Sequence, residues 1–202
     1  MRASKRKITL KNIILFTIRI FRHKYWAFYY CCCAGIPLRG IVHDWSRYSF
    51  TEFWTGVRYY TPNKSSYEME TEEKGYSKAF HHHIRKNRHH CEHWTYTDND
   101  GNMVHLCMPY LDTLEMFCNY LAAGKSYNPS GFSYERELEW WESQTERQKN
   151  MHPVQRMFLD ICFNSLVCEG KIDRYKLKYL YKNILYMYNM GFLNNRPKRI
   201  RR

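Results

Sequence analysis

The sequence predicts an all-α domain with a small β-hairpin insertion. Apolar residues recur at helical spacing through the long segments, as with Leu10, Ile13, Ile14, Phe16, Ile20 and Phe21 in the first. Helix breakers stand between those segments, at Gly35-Ile36-Pro37, at Pro129 and Gly131, and at Gly170. One stretch alternates differently: Trp94–Thr97 and Met103–Met108 flank the turn residues Asp98-Asn99-Asp100-Gly101, which reads as a hairpin.

Taken in order, residues 8–34 read as one helix, ended by Gly35 and Pro37. A second helix is expected over 38–60, containing His43 and Asp44, with a restart signal at Ser49 or Thr51. Pro62 to Ser66 is a loop, and the polar, acidic run Ser66–Lys74 is expected to be mobile. A third helix is expected over 76–94 and holds six of the ten histidines. After the hairpin, Pro109 opens a helix to Ala123, closed by Gly124. Further helices are expected at Tyr134–Lys149, Pro153–Glu169 and Arg174–Met190. Residues 1–170 then form the helical domain, and 171–202 a C-terminal helix with a basic tail.

Composition narrows the class. The 202 residues give room for one domain with a sizeable core. With 44% hydrophobic, 17% aromatic and 25% charged residues, the chain is folded rather than disordered. The net charge of +13 favours anionic partners: nucleotides, nucleic acid or anionic lipid. Part of that charge sits at the ends (Arg2, Lys5, Arg6, Lys7; Arg196, Lys198, Arg199, Arg201, Arg202) and reads as solvated tails. Eight cysteines without a CxxC pair, three of them consecutive (Cys31 to Cys33), exclude a zinc ribbon and fit a reducing cytoplasm. The basic start resembles a signal-peptide n-region, but Arg19 and Arg22 interrupt the apolar run, leaving a basic amphipathic helix. No stretch of about 18 apolar residues predicts a membrane span.

The chemistry-bearing residues are unevenly placed. From His81 to Trp94 the chain reads HHHIRKNRHHCEHW. On one continuous helix His82 shares a face with His89, and His83 with His90. Imidazoles two turns apart line a pocket but do not close on one ion. His43-Asp44 follows a helix that carries His23. A carboxylate among imidazoles suits divalent ions such as Mn, Fe, Co or Mg, which acidify a bound water. Glu115 and Asn119 lie four apart on one helix face. Glu115 suits two roles: orienting a histidine, or general base.

Three blocks then carry a resemblance: HDWSRYSFTEF from His43, AFHHHIRKNRHHCEHW from Ala79, and MPYLDTLEMFCNY from Met108. They resemble the HDLSK-F-x-x-x-E-F, A-W-x-H-H-x-x-x-N-x-H-H-x-E-x-W and M-P-x-x-x-x-x-E-M-x-x-D-W blocks of an uncharacterised family of bacteria and tailed phages. That family is related to the HD-domain superfamily of metal-dependent phosphohydrolases, and with His23 the likeness covers roughly residues 20 to 155. The resemblance implies an HD-like helical core and a divalent metal (Mn, Fe, Co, Ni, Mg or Zn). Its ligands would come from His23, His43, Asp44, His83, His89, His90 and Asn119. Asp44, Arg47 and Glu115 would act in catalysis, and Arg47, His82, Lys86 and Asn87 would contact substrate. The expected reaction is hydrolysis of a nucleotide, cyclic nucleotide or short oligonucleotide by a metal-activated water, in the cytoplasm (the bacterial host's, if phage-encoded). Two positions depart from the family pattern. Arg47 replaces a lysine, keeping the charge and adding a fork for phosphate. Asn119 replaces an aspartate, which weakens a ligand and opens the alternative of a non-catalytic nucleotide- or nucleic-acid-binding module.

Overall fold

The fold is seen in a computed structural model that describes residues 6–193. Arg2, Lys5 and the basic tail from Arg196 lie outside them. Among the described residues there are ten α-helices and one two-stranded antiparallel sheet, the all-α architecture with a hairpin that the sequence predicts.

Helix α1 (Leu10–Cys33) starts where the Thr9 side chain accepts the Asn12 N–H. Gly35, at φ 78°, turns the chain, and Pro37 starts the short α2 (Pro37–Val42). A 3-10 turn at Trp45–Tyr48 leads to α3 (Phe50–Arg58), capped by Ser49. Helix α4 (Ser66–Lys74) opens with a capping box between Ser65 and Glu68 and closes at Gly75, φ 80°. Helix α5 (Lys78–Lys86) is capped by Ser77. Strands β1 (Thr95–Thr97) and β2 (Met103–His105) pair with Tyr96 opposite Val104. The rest is helical: α6 (Tyr110–Tyr127), α7 (Tyr134–Ser143), α8 (Thr145–Lys149), α9 (Pro153–Glu169) and α10 (Arg174–Asn189).

Helix α6 forms the middle of the molecule: every residue from Asp112 to Ala122 is buried. Its apolar residues Leu114, Phe117, Cys118 and Leu121 join Ala27 and Tyr30 of α1, Trp141 of α7, and Phe158, Leu159 and Phe163 of α9 in the main core. Leu177, Tyr181 and Ile184 bring α10 into that same core. Burying each such large side chain stabilises the fold by about 2 kcal/mol. A smaller cluster of Phe16, Ile20 and Val57 holds α3 against α1. There Gly56 lets the Phe16 ring approach so closely that a Cβ would lie 1.9 Å from it.

Several expected boundaries are corrected. The helix expected over 38–60 is two helices, broken at His43–Asp44, where Asp44 takes the left-handed conformation (φ 52°) that Asp tolerates better than most residues. The run 66–74, expected to be mobile, is a helix, because Ser65, Glu68 and Gly75 supply both of its ends. The helix expected over 76–94 stops at Lys86: Asn87 leaves the helical region (φ −117°, ψ 104°) while its backbone N–H and side-chain amide both donate to the His83 carbonyl, a local bonding pattern that favours helix ends. Gly124 does not close α6, which continues to Tyr127; the glycine instead makes room for the buried Glu137 side chain. Residues 134–149 divide into two helices at Gln144.

Candidate metal centre

Four chain segments converge beside α6. The inner face of α1 supplies His23, the α2–α3 connection supplies His43 and Asp44, the end of α5 and the turn after it supply His83, His89 and His90, and α6 supplies Glu115 and Asn119. The break at Asn87 is what assembles the third segment. It turns the chain back so that His83 Nε2 and His90 Nε2 lie 3.0 Å apart, a separation that one continuous helix forbids. The same-face pairing of His82 with His89 therefore does not occur.

Asp44 is the hub. Its Oδ1 lies 3.3 Å from His89 Nε2, 3.4 Å from His83 Nε2 and 3.7 Å from His43 Nε2. Its Oδ2 lies 3.4 Å from His23 Nε2 and accepts from Arg47 Nε at 2.5 Å. His23 Nε2 and His43 Nε2 are 3.2 Å apart, and Asn119 Oδ1 is 3.2 Å from His43 Nε2. The atoms form three overlapping groups of ligand geometry: Asp44 with His83, His89 and His90; Asp44 with His23 and His43; and His43 with His89 and Glu115.

The opposite ring edges decide what those Nε2 atoms are. His43 Nδ1 faces Glu115 Oε1 at 3.0 Å, and His89 Nδ1 faces the same oxygen at 3.2 Å. His83 Nδ1 faces Glu52 Oε2 at 2.8 Å. A carboxylate at Nδ1 holds a proton there, so a neutral ring in this setting turns its Nε2 lone pair inward. Nitrogen lone pairs and carboxylate oxygens aimed at one another repel unless a cation stands between them. Asp44 Oδ1 and His89 Nε2 are both buried and, despite their proximity, align into no hydrogen bond. This arrangement of imidazole nitrogen and carboxylate oxygen fits a borderline divalent metal.

The electrostatics agree. Burial works against charge on His23 and lowers it to about 4, leaving the ring neutral. Burial also lowers His83, and lowers His90 further, with His89 adding to the effect. Burial opposes charge on His89 too, but Asp44 and Glu115 outweigh it and lift that ring to about 9. Asp44 stays ionised well below the usual range: burial opposes this, and the Arg47 guanidinium and neighbouring rings overcome it. Glu115 is likewise held low against burial by His43 and His89. His23, His83 and His90 are thus held neutral beside the ionised Asp44 and Glu115, as metal ligation requires, whereas His89 keeps a proton that an incoming ion would have to displace.

A family model described as a family of unknown function, DUF5662, matches residues 13–165 of the 202. The chain belongs to this family. The match spans the whole centre of this DUF5662 chain, from His23 to Asn119, and ends inside α9. No curated protein and no solved structure matches it.

The sequence-selected residues fall into three sets. His23, His43, Asp44, His83, His89, His90 and Asn119 come together at the centre. Arg47 lies against them, its guanidinium held on Asp44. Glu115 faces His43, His89 and Arg39, the placement of an orienting carboxylate. His82 and Lys86 lie apart, in a surface recess of about 370 Å³ lined also by Thr51, Lys78, His81 and Arg85. The Asn87 side chain bonds Ser46 Oγ and the His83 carbonyl.

Two supporting residues escaped the sequence reading. Glu52, almost fully buried, binds His82 Nδ1 and His83 Nδ1 and accepts from the Tyr67 hydroxyl. Its signal was its place eight positions after Asp44 within the first block. Arg39 bridges Asp112 at 2.5 Å and Glu115 at 2.9 Å, and nothing in its local sequence marks it.

Proposed function

We propose that this protein is a metal-dependent phosphohydrolase or phosphodiesterase acting on a nucleotide, cyclic nucleotide or short oligonucleotide. One observation carries the reading: four imidazole Nε2 atoms surround the buried carboxylate of Asp44 and a fifth, that of His90, lies 3.0 Å from His83 Nε2, with three of the rings held from behind by Glu52 and Glu115. His23, His43, His83, His89, His90 and Asp44 would hold the metal, with Asp44 shared between neighbouring ligand groups. A divalent ion bound there supplies Lewis acidity towards phosphoryl oxygen and a more acidic water.

The chain's own groups favour an anionic substrate. Arg47 uses Nε on Asp44, which leaves the far edge of its guanidinium for a phosphoryl oxygen. The recess of Lys78, His81, His82, Arg85 and Lys86 has no acidic residue in its lining, and it joins the centre through the His82–Glu52–His83 hydrogen bonds. Such a cationic surface steers and seats a polyphosphate or a short phosphodiester chain.

The experiment is elemental analysis of protein purified without chelators, for wild type and Asp44→Asn, followed by turnover of a nitrophenyl phosphodiester and of cyclic nucleotides. Asparagine tolerates the left-handed backbone at 44, so the variant isolates the charge. Near-stoichiometric metal that Asp44→Asn loses, with metal-dependent turnover, supports the reading. Wild type that binds no Mn, Fe, Co, Ni, Mg or Zn sinks it. Asn119 favours a second reading, a nucleotide-binding module, because a neutral amide stands 3.2 Å from His43 Nε2. Stoichiometric metal and tight nucleotide binding without turnover would favour that one.

A further inference from the structure

Helix α1 is apolar on both sides. Its inner face contributes Phe16, Ile20, Ala27 and Tyr30 to the cores. Its outer face is apolar as well: Leu10, Ile14, Ile18, Phe21, Tyr25 and Phe28 are all exposed, Leu10 at 72% and Phe21 at 60%. At about 100° per residue these six fall within one arc of roughly 80°. From Leu10 to Phe28 the helix carries that arc along about 27 Å. Gly40 seats α2 directly on Phe28, and Lys24 holds the Ile41 carbonyl and stacks over Trp45, so exposed Ile41, Val42 and Trp45 widen the same surface. A monomer in water does not leave a continuous apolar face of this size uncovered without a use for it.

The charges beside the face select what covers it. No Asp or Glu occurs before Asp44, which is buried in the metal centre. The exposed charges flanking the arc, Lys7, Lys11 and Arg22, are all positive. A second copy would set this face against itself by two-fold symmetry, bringing Lys7, Lys11 and Arg22 towards the same cations of the other copy. A nucleic acid would match the charge but not the aliphatic residues Leu10, Ile14 and Ile18, which offer no stacking surface. An anionic bilayer matches both: apolar side chains enter the acyl boundary, and flanking lysine and arginine reach the headgroups.

We infer that the outer face of α1, extended by α2 and Trp45, docks this protein on an anionic membrane surface, lying in the interface without crossing it. No helix among the described residues is long and apolar enough to cross. Docked this way, α1 presents His23 and the His43–Asp44 connection from its inward side, so the metal centre sits one helix thickness from the lipid.

The test is co-sedimentation of the full chain with vesicles of phosphatidylcholine alone and of phosphatidylcholine mixed with phosphatidylglycerol. Binding to the mixed vesicles, weakened by salt and accompanied by a blue shift of tryptophan emission, is expected. Ile18→Glu/Phe21→Glu should lose that binding by tenfold or more, with the circular dichroism spectrum and metal content of wild type. Lys11→Glu/Arg22→Glu, which keeps the apolar arc, should lose the preference for anionic lipid by about tenfold. The inference is overturned if wild type does not sediment with the mixed vesicles, or if the Ile18/Phe21 variant binds them as wild type does. It is equally overturned if wild type is a dimer that this variant converts to monomer, or if the face binds single-stranded nucleic acid in preference to vesicles.

Discussion

Replacing Glu115 by Gln tests the centre without touching a central ligand. Glu115 Oε1 holds His43 Nδ1 at 3.0 Å and His89 Nδ1 at 3.2 Å, while Oε2 takes Arg39 at 2.9 Å. Glutamine keeps the length and one oxygen but loses the charge and puts a donor on the other position. If the amide nitrogen turns to the rings, both imidazoles lose their acceptor. If it turns to Arg39, two donors meet, and Arg39 falls back on Asp112 at 2.5 Å. In either orientation two ligands lose the negative charge that fixes their tautomer and raises their basicity. One such partner typically accounts for 10- to 100-fold in metal affinity. Because a single carboxylate serves two rings here, the expected loss is about 100-fold, or about 2.7 kcal/mol. Competition titration against a chromophoric chelator measures it, with circular dichroism to verify the fold. An affinity within about threefold of wild type would refute the orienting role and the ligand assignment of His43 and His89 with it.

Asn119→Asp places a carboxylate beside His43 Nε2 and should tighten metal binding about tenfold, read by the same titration and by metal stoichiometry. Gly56→Ala drives a Cβ into the Phe16 ring, and a loss of about 3 kcal/mol should appear as a Tm lower by roughly 10 °C. Glu137 is lifted by burial from 4.5 to about 7, so its protonated form is favoured in the folded state. Stability is highest below the unfolded value and falls by about 3 kcal/mol as pH rises through about 7, levelling off above it; Glu137→Gln should flatten that slope in urea titrations across the range.

The fold was legible where periodicity and punctuation coincide. Pro153 and Gly170 bracket α9 as read, and the Asp98–Gly101 turn brackets the hairpin. Reading failed where a side chain overrides the backbone pattern. Asn87 carries no breaker signal of the Gly or Pro kind, yet α5 ends there, with the Asn87 side chain bonded to Ser46 and the His83 carbonyl. The acidic run 66–74 lacks an apolar stripe, so hydropathy hid a helix that its caps define. The composition of the site was readable from residue types and blocks, because the histidines and Asp44 picked out in the sequence are the ones that come together. Its geometry was not readable, because it depends on a break that lies within the densest histidine run. Arg39 shows the same limit: its two acidic partners lie 73 and 76 positions away.

The four segments of the centre also lie far apart along the chain. The contact between His23 and His43 closes a loop of 20 residues, while that between His43 and Asn119 closes one of 76. Chain entropy makes the longer closure costlier by about 1.2 kcal/mol. The ligand cage is therefore assembled by tertiary structure rather than by any local stretch of chain. An ion held by these residues would act as a cross-link between distant parts of the sequence.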